Sequence, residues 1–243
     1  MNAVIETPVI EPPVIQTQGL GKRYRSRWAL SECTLSVPAG RVAGLVGPNG
    51  AGKTTFLNLV TGMLAPDDGT IQVLGTAPGQ QLARVGFVAQ DTPTYAGLSI
   101  ADHLRLGAHL NPGWDSEYAD ARITRLGLDP KQKAGKLSGG QRAQLALTMA
   151  IAKRPDLLIL DEPVAALDPL ARRGFLDDLT EAARTRQMSV VLSSHLVSDL
   201  ERACDWLIVL SGGRVQLAGA IAEFVPAHHT SLEDMVLSYL ETK

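Results

Sequence analysis

The sequence has few cysteines, little net charge and no long apolar run, and these absences exclude several classes of protein. The two cysteines, Cys33 and Cys204, are far apart and form no CxxC pair, so we expect neither a zinc site nor a disulfide framework, and a reducing compartment fits. No apolar stretch reaches the roughly 18 residues of a membrane-spanning helix. The net charge of −2 gives no bulk attraction to nucleic acid or anionic lipid.

The start of the chain also lacks the features of a secretory signal. Residues 1–13 contain acids and prolines but no basic segment and no apolar centre, so we expect a flexible tail. Hydrophobic residues make up 45% of the 243 residues and charged residues 20%, which is enough for a substantial core. This length suits one domain, or one domain with an inserted subdomain.

Apolar strands alternate with helical segments along most of the chain. The predicted strands include residues 42–46, 70–74, 85–89, 157–160, 189–192 and 206–210, and residues 53–60 are a predicted helix. Such alternation predicts an α/β fold with a mostly parallel sheet flanked by helices.

The apolar spacing changes to a helical pattern in the middle of the chain. We interpret residues 91–154 as a helical subdomain inserted into a core of residues 14–90 and 155–225. Residues 226–243 are a predicted C-terminal helical tail, in which residues 231–240 have an amphipathic pattern.

A glycine-rich loop follows the strand at residues 42–46. Its residues are Gly47, Pro48, Asn49, Gly50, Ala51, Gly52, Lys53, Thr54 and Thr55. The glycines let backbone N–H groups turn toward phosphate oxygens, and the next helix presents its N-terminus to the same charge. In this Walker A pattern Lys53 reaches the β- and γ-phosphates and the Thr54 hydroxyl ligates Mg²⁺. A chance glycine-rich turn is the alternative, which the flanking strand and helix disfavour.

Two consecutive acids, Asp161 and Glu162, end a continuous apolar strand. Such a strand is buried on both faces, and ligands of open α/β sheets bind at the carboxyl ends of strands. Neighbouring strand residues point to opposite sides, so the two carboxylates can have different roles. The alternative is that they cap the next segment, but Pro163 makes that segment a loop.

A short polar motif, Ser138, Gly139, Gly140 and Gln141, opens the last helix of the predicted insertion. It matches a capping box, in which the side chains of the N-cap and third residues bond to the backbone. The hydroxyl and free N–H groups of such a helix start can bind an anion. A simple helix cap is the alternative.

The phosphate loop, the Ser138 motif and the acidic strand end follow one another in this order along the chain. Together they resemble the ATP-binding subunit of an ABC transporter, and the resemblance extends from about Val14 to about Gly219. It implies a P-loop NTPase core that includes an antiparallel β part, together with the inserted helical subdomain. The cofactors implied are ATP and Mg²⁺, and the activity implied is ATP hydrolysis.

The resemblance also implies a role for individual residues. Asp161 would hold Mg²⁺, through water, and Glu162 would be the general base for the attacking water. Gln90, at the end of a strand, would touch Mg²⁺ and water. His195 would contact the γ-phosphate. Taken alone, Gln90 could be an ordinary polar strand end and His195 a structural histidine.

The Ser138 motif implies a second copy of the chain, because Walker A already surrounds the phosphates on its own side. In the family that it resembles, this motif completes the site of a partner subunit, so that two ATP molecules lie between two head-to-tail chains. Asp168 matches the loop that crosses this interface. Because both halves of the site are intact, a homodimer fits.

Residues 22–28 interleave basic and aromatic side chains. Alone, such a segment could bind single-stranded nucleic acid. Its position matches the adenine-stacking aromatic of the family instead, for which we favour Tyr24 over Trp28; a solvated loop with one packed aromatic is a third interpretation. His228 and His229 lack neighbouring ligands for a metal site.

The resulting hypothesis is an ATPase subunit on the cytoplasmic face of the membrane, driving transport, with export favoured, through a separate transmembrane permease. We expect no nucleic-acid partner. An ATPase head for DNA repair would insert long coiled coils, whereas the segment between Gln90 and Leu137 is short and has no sustained heptads. A translation ATPase usually carries two such domains, whereas this sequence has one Walker A pattern. A regulator that does not hydrolyse ATP would not need Glu162. Residues 91–110 are expected to help form a groove for a short helix of the permease, or else to pack the insertion against the core. Their apolar side chains are Tyr95, Leu98, Ile100, Leu104 and Leu106.

Overall fold

The structure is a computed structural model that describes residues 12–92, 94–224 and 231–241. Most of the predicted N-terminal tail, residues 1–11, lies outside these ranges. So do residues 225–230, which include His228 and His229 and the predicted start of the C-terminal tail.

Strands and helices alternate as expected, and the predicted segments differ from the observed ones by at most two residues at either end. The strands are β1 (Ile15–Tyr24), β2 (Arg27–Val37), β3 (Val42–Val46), β4 (Asp68–Val73), β5 (Val85–Val88), β6 (Leu157–Asp161), β7 (Ser189–Ser194), β8 (Trp206–Ser211) and β9 (Arg214–Ala220). The helices are α1 (Lys53–Val60), α2 (Ile100–Leu110), α3 (Ser116–Arg125), α4 (Gly139–Ala152), α5 (Pro169–Arg186), α6 (Val197–Ala203), α7 (Ile221–Phe224) and α8 (Leu232–Glu241).

The larger sheet has six strands in the order β5-β6-β7-β3-β8-β9. The first five run parallel and β9 is antiparallel to β8. Every residue of β6 and β7 is buried, as expected for strands covered on both faces. Because β7 lies between β3 and β6, their carboxyl ends meet at one edge of the sheet, where Val46 pairs with Ser194 and Asp161 pairs with Ser193.

A smaller antiparallel sheet, in the order β2-β1-β4, packs beside the larger one. It contacts the turn between β8 and β9, where the Ser31 N–H donates to the Gly213 carbonyl over 2.8 Å. The two sheets and α1 share a core that includes Leu20, Leu45 and Phe56. This sheet is the antiparallel part that the resemblance implied.

Helices α2, α3 and α4 occupy the chain between β5 and β6, and they share an apolar core of their own. Ile100 and Leu104 belong to this core, so these two residues of the expected groove pack the insertion instead. The predicted fold class is confirmed, whereas the boundaries of the subdomain at residues 91 and 154 stay a prediction. None of the helices within the described ranges is both long and apolar enough to cross a membrane.

Candidate active site

The glycine-rich loop follows β3 closely, and its backbone needs glycine at two positions. A Cβ at Gly47 would lie 2.1 Å from the carbonyl oxygen of Leu210, a distance that no side chain tolerates. Gly52 has a φ of 106°, in the left-handed region, and is the N-cap of α1 without a side-chain cap. The N–H groups of the first turn are therefore not capped by a side chain, as an anion site at a helix start requires.

Lys53 lies across this loop with only 6% of its side chain exposed. Its Nζ donates to the Gly47 carbonyl over 2.8 Å and lies 3.3 Å from Oε1 of Glu162. Burial of an ammonium is costly unless the group is paired, so this ion pair holds the lysine at the phosphate loop.

The two acids after β6 face different neighbours. Asp161 is buried and its Oδ1 accepts a 2.7 Å hydrogen bond from the Ser193 hydroxyl. Glu162 has a φ of 46°, which is uncommon for a residue with a side chain. Its N–H donates to the same hydroxyl over 2.8 Å. The backbone therefore turns away from the direction of β6 at Glu162, so that the two carboxylates do not continue the alternation of the strand.

His195 follows β7 and completes a row of three charged or titratable side chains. Its Nδ1 lies 3.4 Å from Oε2 of Glu162, whose Oε1 faces Lys53. The His195 side chain is 44% exposed, so part of the ring faces solvent. The structure thus brings Lys53, Glu162 and His195 together from three different strand ends.

The three residues expected to hold magnesium line a single cleft. Thr54, Gln90 and Asp161 all border one cleft of about 810 Å³. One carboxylate with a hydroxyl and an amide oxygen fits Mg²⁺, which keeps several waters and is shared with substrate phosphates. Among the described residues no cluster of three or more His, Cys, Asp or Glu could hold a metal ion, so phosphate and water would have to supply the other ligands of a magnesium ion here.

Lys153 borders the same cleft on the side of the helical insertion. Burial lowers the pKa of its ammonium group, because desolvation disfavours the charged form. Its Nζ donates to the Val85 carbonyl over 2.8 Å. This hydrogen bond connects the end of α4 to the edge strand β5.

Tyr24 and Trp28 lie at the tip of the β1–β2 hairpin, with 49% and 43% of their surface exposed. The hairpin lies beside the phosphate loop, since a Cβ at Gly52 would be 2.6 Å from the Ala29 carbonyl. The Trp28 ring already packs on Gly21, where a Cβ would approach it to 2.9 Å, and the Arg23 guanidinium lies 5.4 Å from the ring centroid. These contacts favour Tyr24 as the ring for a base.

The Ser138 motif forms the expected capping box at the start of α4. The Ser138 hydroxyl accepts from the Gln141 N–H over 3.2 Å, and Oε1 of Gln141 accepts from the Ser138 N–H over 3.0 Å. Gly139 and Gly140 complete this first turn. The motif and Asp168 line one cavity, which includes no residue of the phosphate loop.

Asp168 caps the neighbouring helix α5. Its Oδ1 accepts from the N–H groups of Leu170 and Ala171, both over 3.0 Å. Within one chain, then, the structure brings Asp168 together with the Ser138 motif, and brings Lys53, Glu162, His195 and the magnesium candidates together elsewhere.

Sequence reasoning missed two features of the site. Ser193 bonds to both Asp161 and Glu162, and only the pairing of β6 with β7 reveals it. Helix α8 lies beside the phosphate loop, because Glu233 and Val236 line a cavity with Asn49 and His195. The amphipathic pattern of residues 231–240 gave α8 an apolar face but not its docking position.

A family model described as ABC transporter matches residues 30–165, the segment from β2 to the loop after Glu162. The chain belongs to the ABC transporter family. It is an ATP-binding subunit of such a transporter and an ATPase, as the sequence predicted.

Several curated relatives cover most of the chain. The uncharacterized ABC transporter ATP-binding protein YxlF of Bacillus subtilis is 31% identical over 95% of this chain and 80% of its own length. The thiamine import ATP-binding protein ThiQ of Salmonella typhimurium is 34% identical over 79% of this chain and 85% of its own. The Nod factor export ATP-binding protein I of Ralstonia nicotianae is 32% identical over 88% of this chain and 69% of its own length.

Solved structures have the same fold. The structure of an ATP-binding subunit of an ABC transporter superposes with a TM-score of 0.81 at 25% identity, covering 93% of this chain and 99% of the other. The cbiO1 protein from Clostridium perfringens, part of the ABC transporter complex cbiONQ, gives a TM-score of 0.75 at 24% identity, covering 88% and 90%.

Proposed function

We propose that this chain hydrolyses ATP at a site shared by two head-to-tail copies, and that the cycle drives transport through a separate membrane-spanning subunit. The observation that carries the proposal is the convergence of Lys53, Glu162 and His195 at the edge of the sheet. These side chains lie beside the start of α1, whose N–H groups have no side-chain cap, and such a helix start can bind the phosphates of a nucleoside triphosphate.

In the proposed reaction Lys53 binds the β- and γ-phosphates, and Glu162 accepts a proton from the attacking water. His195 donates a hydrogen bond to the γ-phosphate from the other side of Glu162. Thr54, Gln90 and Asp161 would hold Mg²⁺, which would neutralise charge on the phosphates. Tyr24 stacks on the adenine.

Two copies are supported by the separation of the chain's own motifs. The cavity at Ser138 contains Gly139, Gly140, Gln141 and Asp168 but no phosphate-loop residue. We infer that the anion site at Ser138 and the phosphate loop, which are separate within one chain, complete each other across two chains. A homodimer satisfies this with one kind of subunit.

Protein concentration tests the shared site directly. If ATP hydrolysis needs two chains, the rate per chain of purified protein with Mg²⁺ and ATP rises with protein concentration and then saturates. A rate per chain that stays constant from nanomolar to micromolar protein contradicts the dimer. Absence of phosphate release at every concentration, with and without the membrane subunit, contradicts the proposed role of Glu162.

The contact with the membrane subunit is proposed at the cleft beside Gln90. Three large apolar side chains border this cleft while remaining exposed: Tyr95 at 66%, Met63 at 62% and Leu82 at 59%. Exposed apolar groups around one concave surface are typical of a binding site. We infer that a short helix of the membrane subunit binds at the part of the cleft bordered by these three exposed side chains, with this chain at the cytoplasmic face of the membrane.

Export is the proposed direction. The relative named for Nod factor export matches 88% of the chain, against 79% for the one named for thiamine import. Transport assays in inverted vesicles and in intact cells with the membrane subunit distinguish the two directions. ATP-dependent accumulation in inverted vesicles supports export, and ATP-dependent uptake by intact cells contradicts it.

A further inference from the structure

A buried arginine, Arg122, joins three helices of the chain. Its Nε donates to the Thr148 hydroxyl over 3.0 Å, and Nη2 donates to Oε1 of Gln144 over 2.6 Å; both partners lie on α4. The same Nη2 donates over 3.0 Å to Oδ2 of Asp178, on α5. Arg122 itself belongs to α3.

The two helices that Arg122 bridges begin at two predicted site elements. Helix α4 begins after Ser138, and α5 begins after its N-cap Asp168. Both line one cavity, which Gln144 also borders. A change in the spacing of α4 and α5 therefore changes the spacing of Ser138 and Asp168.

The chemistry of the contact makes this spacing rigid. A buried guanidinium is costly unless its charge is paired and its N–H groups are bonded, and Arg122 satisfies both needs only when α4 and α5 are in place. The planar fork fixes direction as well as distance, which a flexible ammonium does not.

We propose that Arg122 is a positioning residue for the half-site, formed by the Ser138 motif and Asp168, that each chain contributes to the ATP bound by its partner. It sets Ser138 relative to Asp168 and touches neither the phosphates nor the phosphate loop. This inference rests on the proposed head-to-tail dimer. It requires a substitution at Arg122 to impair the nucleotide bound by the other chain, and to spare the nucleotide bound by its own.

Mixed dimers with differently tagged chains test this. Both chains carry Glu162→Gln, so that retention of labelled ATP is measured without turnover, and one chain also carries Lys53→Ala, so that only the other chain's loop holds ATP. Arg122→Lys on the Lys53→Ala chain should lower retained ATP by about tenfold or more, because a small misplacement is enough for such a loss. Arg122→Lys on the ATP-holding chain should change retention less than about twofold.

Arg125→Lys is the matched control, since the half-exposed Arg125 side chain pairs with the same Asp178 over 3.1 Å. It should leave retention unchanged in either chain. Affinity of the isolated Arg122→Lys chain for a fluorescent ATP analogue should also match the parent. If Arg122→Lys does not fold, Gln144→Leu removes one of the two hydrogen bonds from Arg122 to α4 and should lower retention on the same chain.

Ser138→Arg separates failure of the inference from failure of the dimer. On the Lys53→Ala chain it should abolish retention, and on the ATP-holding chain it should not. If Ser138→Arg lacks this pattern, the head-to-tail dimer is wrong and the inference falls with it. If Ser138→Arg shows the pattern but Arg122→Lys and Gln144→Leu lower retention equally on either chain, or on neither, Arg122 is not a positioning residue.

Discussion

Lys53 and Glu162 form a nearly buried ion pair, with Nζ of the lysine 3.3 Å from Oε1 of the glutamate. The two residues come from strand ends more than 100 positions apart in the chain, and each carries a role proposed for ATP hydrolysis. Because the glutamate's other oxygen faces His195, the carboxylate lies between the group proposed to bind the phosphates and the group proposed to sense them.

Glu162→Gln should preserve ATP binding and slow hydrolysis by about 10²–10⁴-fold, because the amide keeps the shape and loses the base. The ATP-bound dimer should then accumulate, and size-exclusion chromatography with and without ATP measures it. Glu201→Gln, a substitution in the exposed part of α6, is the control. Hydrolysis by Glu162→Gln near the parent rate would remove Glu162 from the role of base.

Lys53→Ala should weaken ATP binding by roughly 1.5–3 kcal/mol, the range for a hydrogen bond to a charged group. Fluorescence titration with an ATP analogue gives the affinity. Lys131→Ala, on the exposed surface of the insertion, should bind as the parent does. Unchanged affinity and turnover in Lys53→Ala would show that the triphosphate binds elsewhere.

His195→Ala should keep ATP affinity within about twofold and lower turnover by roughly 10²-fold, the cost of losing one donor to developing charge. Its Nδ1 already lies 3.4 Å from Glu162, so the ring can be held while its other nitrogen faces the ligand. Separate measurement of affinity and of steady-state phosphate release distinguishes the two effects. Equal losses of both would mean that His195 is structural. His109→Ala, at an exposed position near the end of α2, serves as the control.

Tyr24→Ala should weaken ATP by ~1–3 kcal/mol if the ring stacks on adenine, and Tyr24→Phe should restore binding. Trp28→Ala is the matched comparison, because Trp28 is exposed to a similar degree but packs on Gly21 and Arg23. We expect its main effect on the melting temperature. A larger loss of ATP affinity in Trp28→Ala would assign the base to Trp28, and strong stimulation by single-stranded DNA would favour a nucleic-acid role.

Tyr95→Glu should abolish co-purification with the membrane subunit while the isolated chain stays folded, because the ring is largely exposed beside the cleft. Leu104→Glu is the contrasting variant, since Leu104 is buried in the helical core and its substitution should unfold the insertion. Circular dichroism and a pull-down on tagged membrane subunit report both outcomes. An intact complex with Tyr95→Glu would exclude this cleft as the contact.

The sequence predicted the fold class and the family because the informative signals are local. The strand before Gly47 and the helix after Gly52 are consecutive in the chain, and so are the two residues of the acidic pair at Asp161. The capping box at Ser138 is likewise a matter of four residues and is present in the structure. Such motifs depend on backbone geometry within one or two turns, which residue order alone fixes.

Other relationships could not be predicted, because they depend on strand order and on packing between distant segments. The pairing of Asp161 with Ser193 follows from β6 and β7 being neighbours, and hydrophobic periodicity does not encode which strands pair. Apolar spacing also did not separate Ile100 and Leu104, which are buried, from Tyr95, which is exposed.

The sequence by itself determined that this chain is an ABC ATPase, since the phosphate loop, the acidic strand end and the Ser138 motif are each contiguous. Tertiary structure alone decided which side chains meet: Glu162 between Lys53 and His195, and Arg122 between α4 and α5. The physical reason is that a buried charge is stable only where partners from distant segments converge. That convergence is a property of the packed fold and not of any single stretch of sequence.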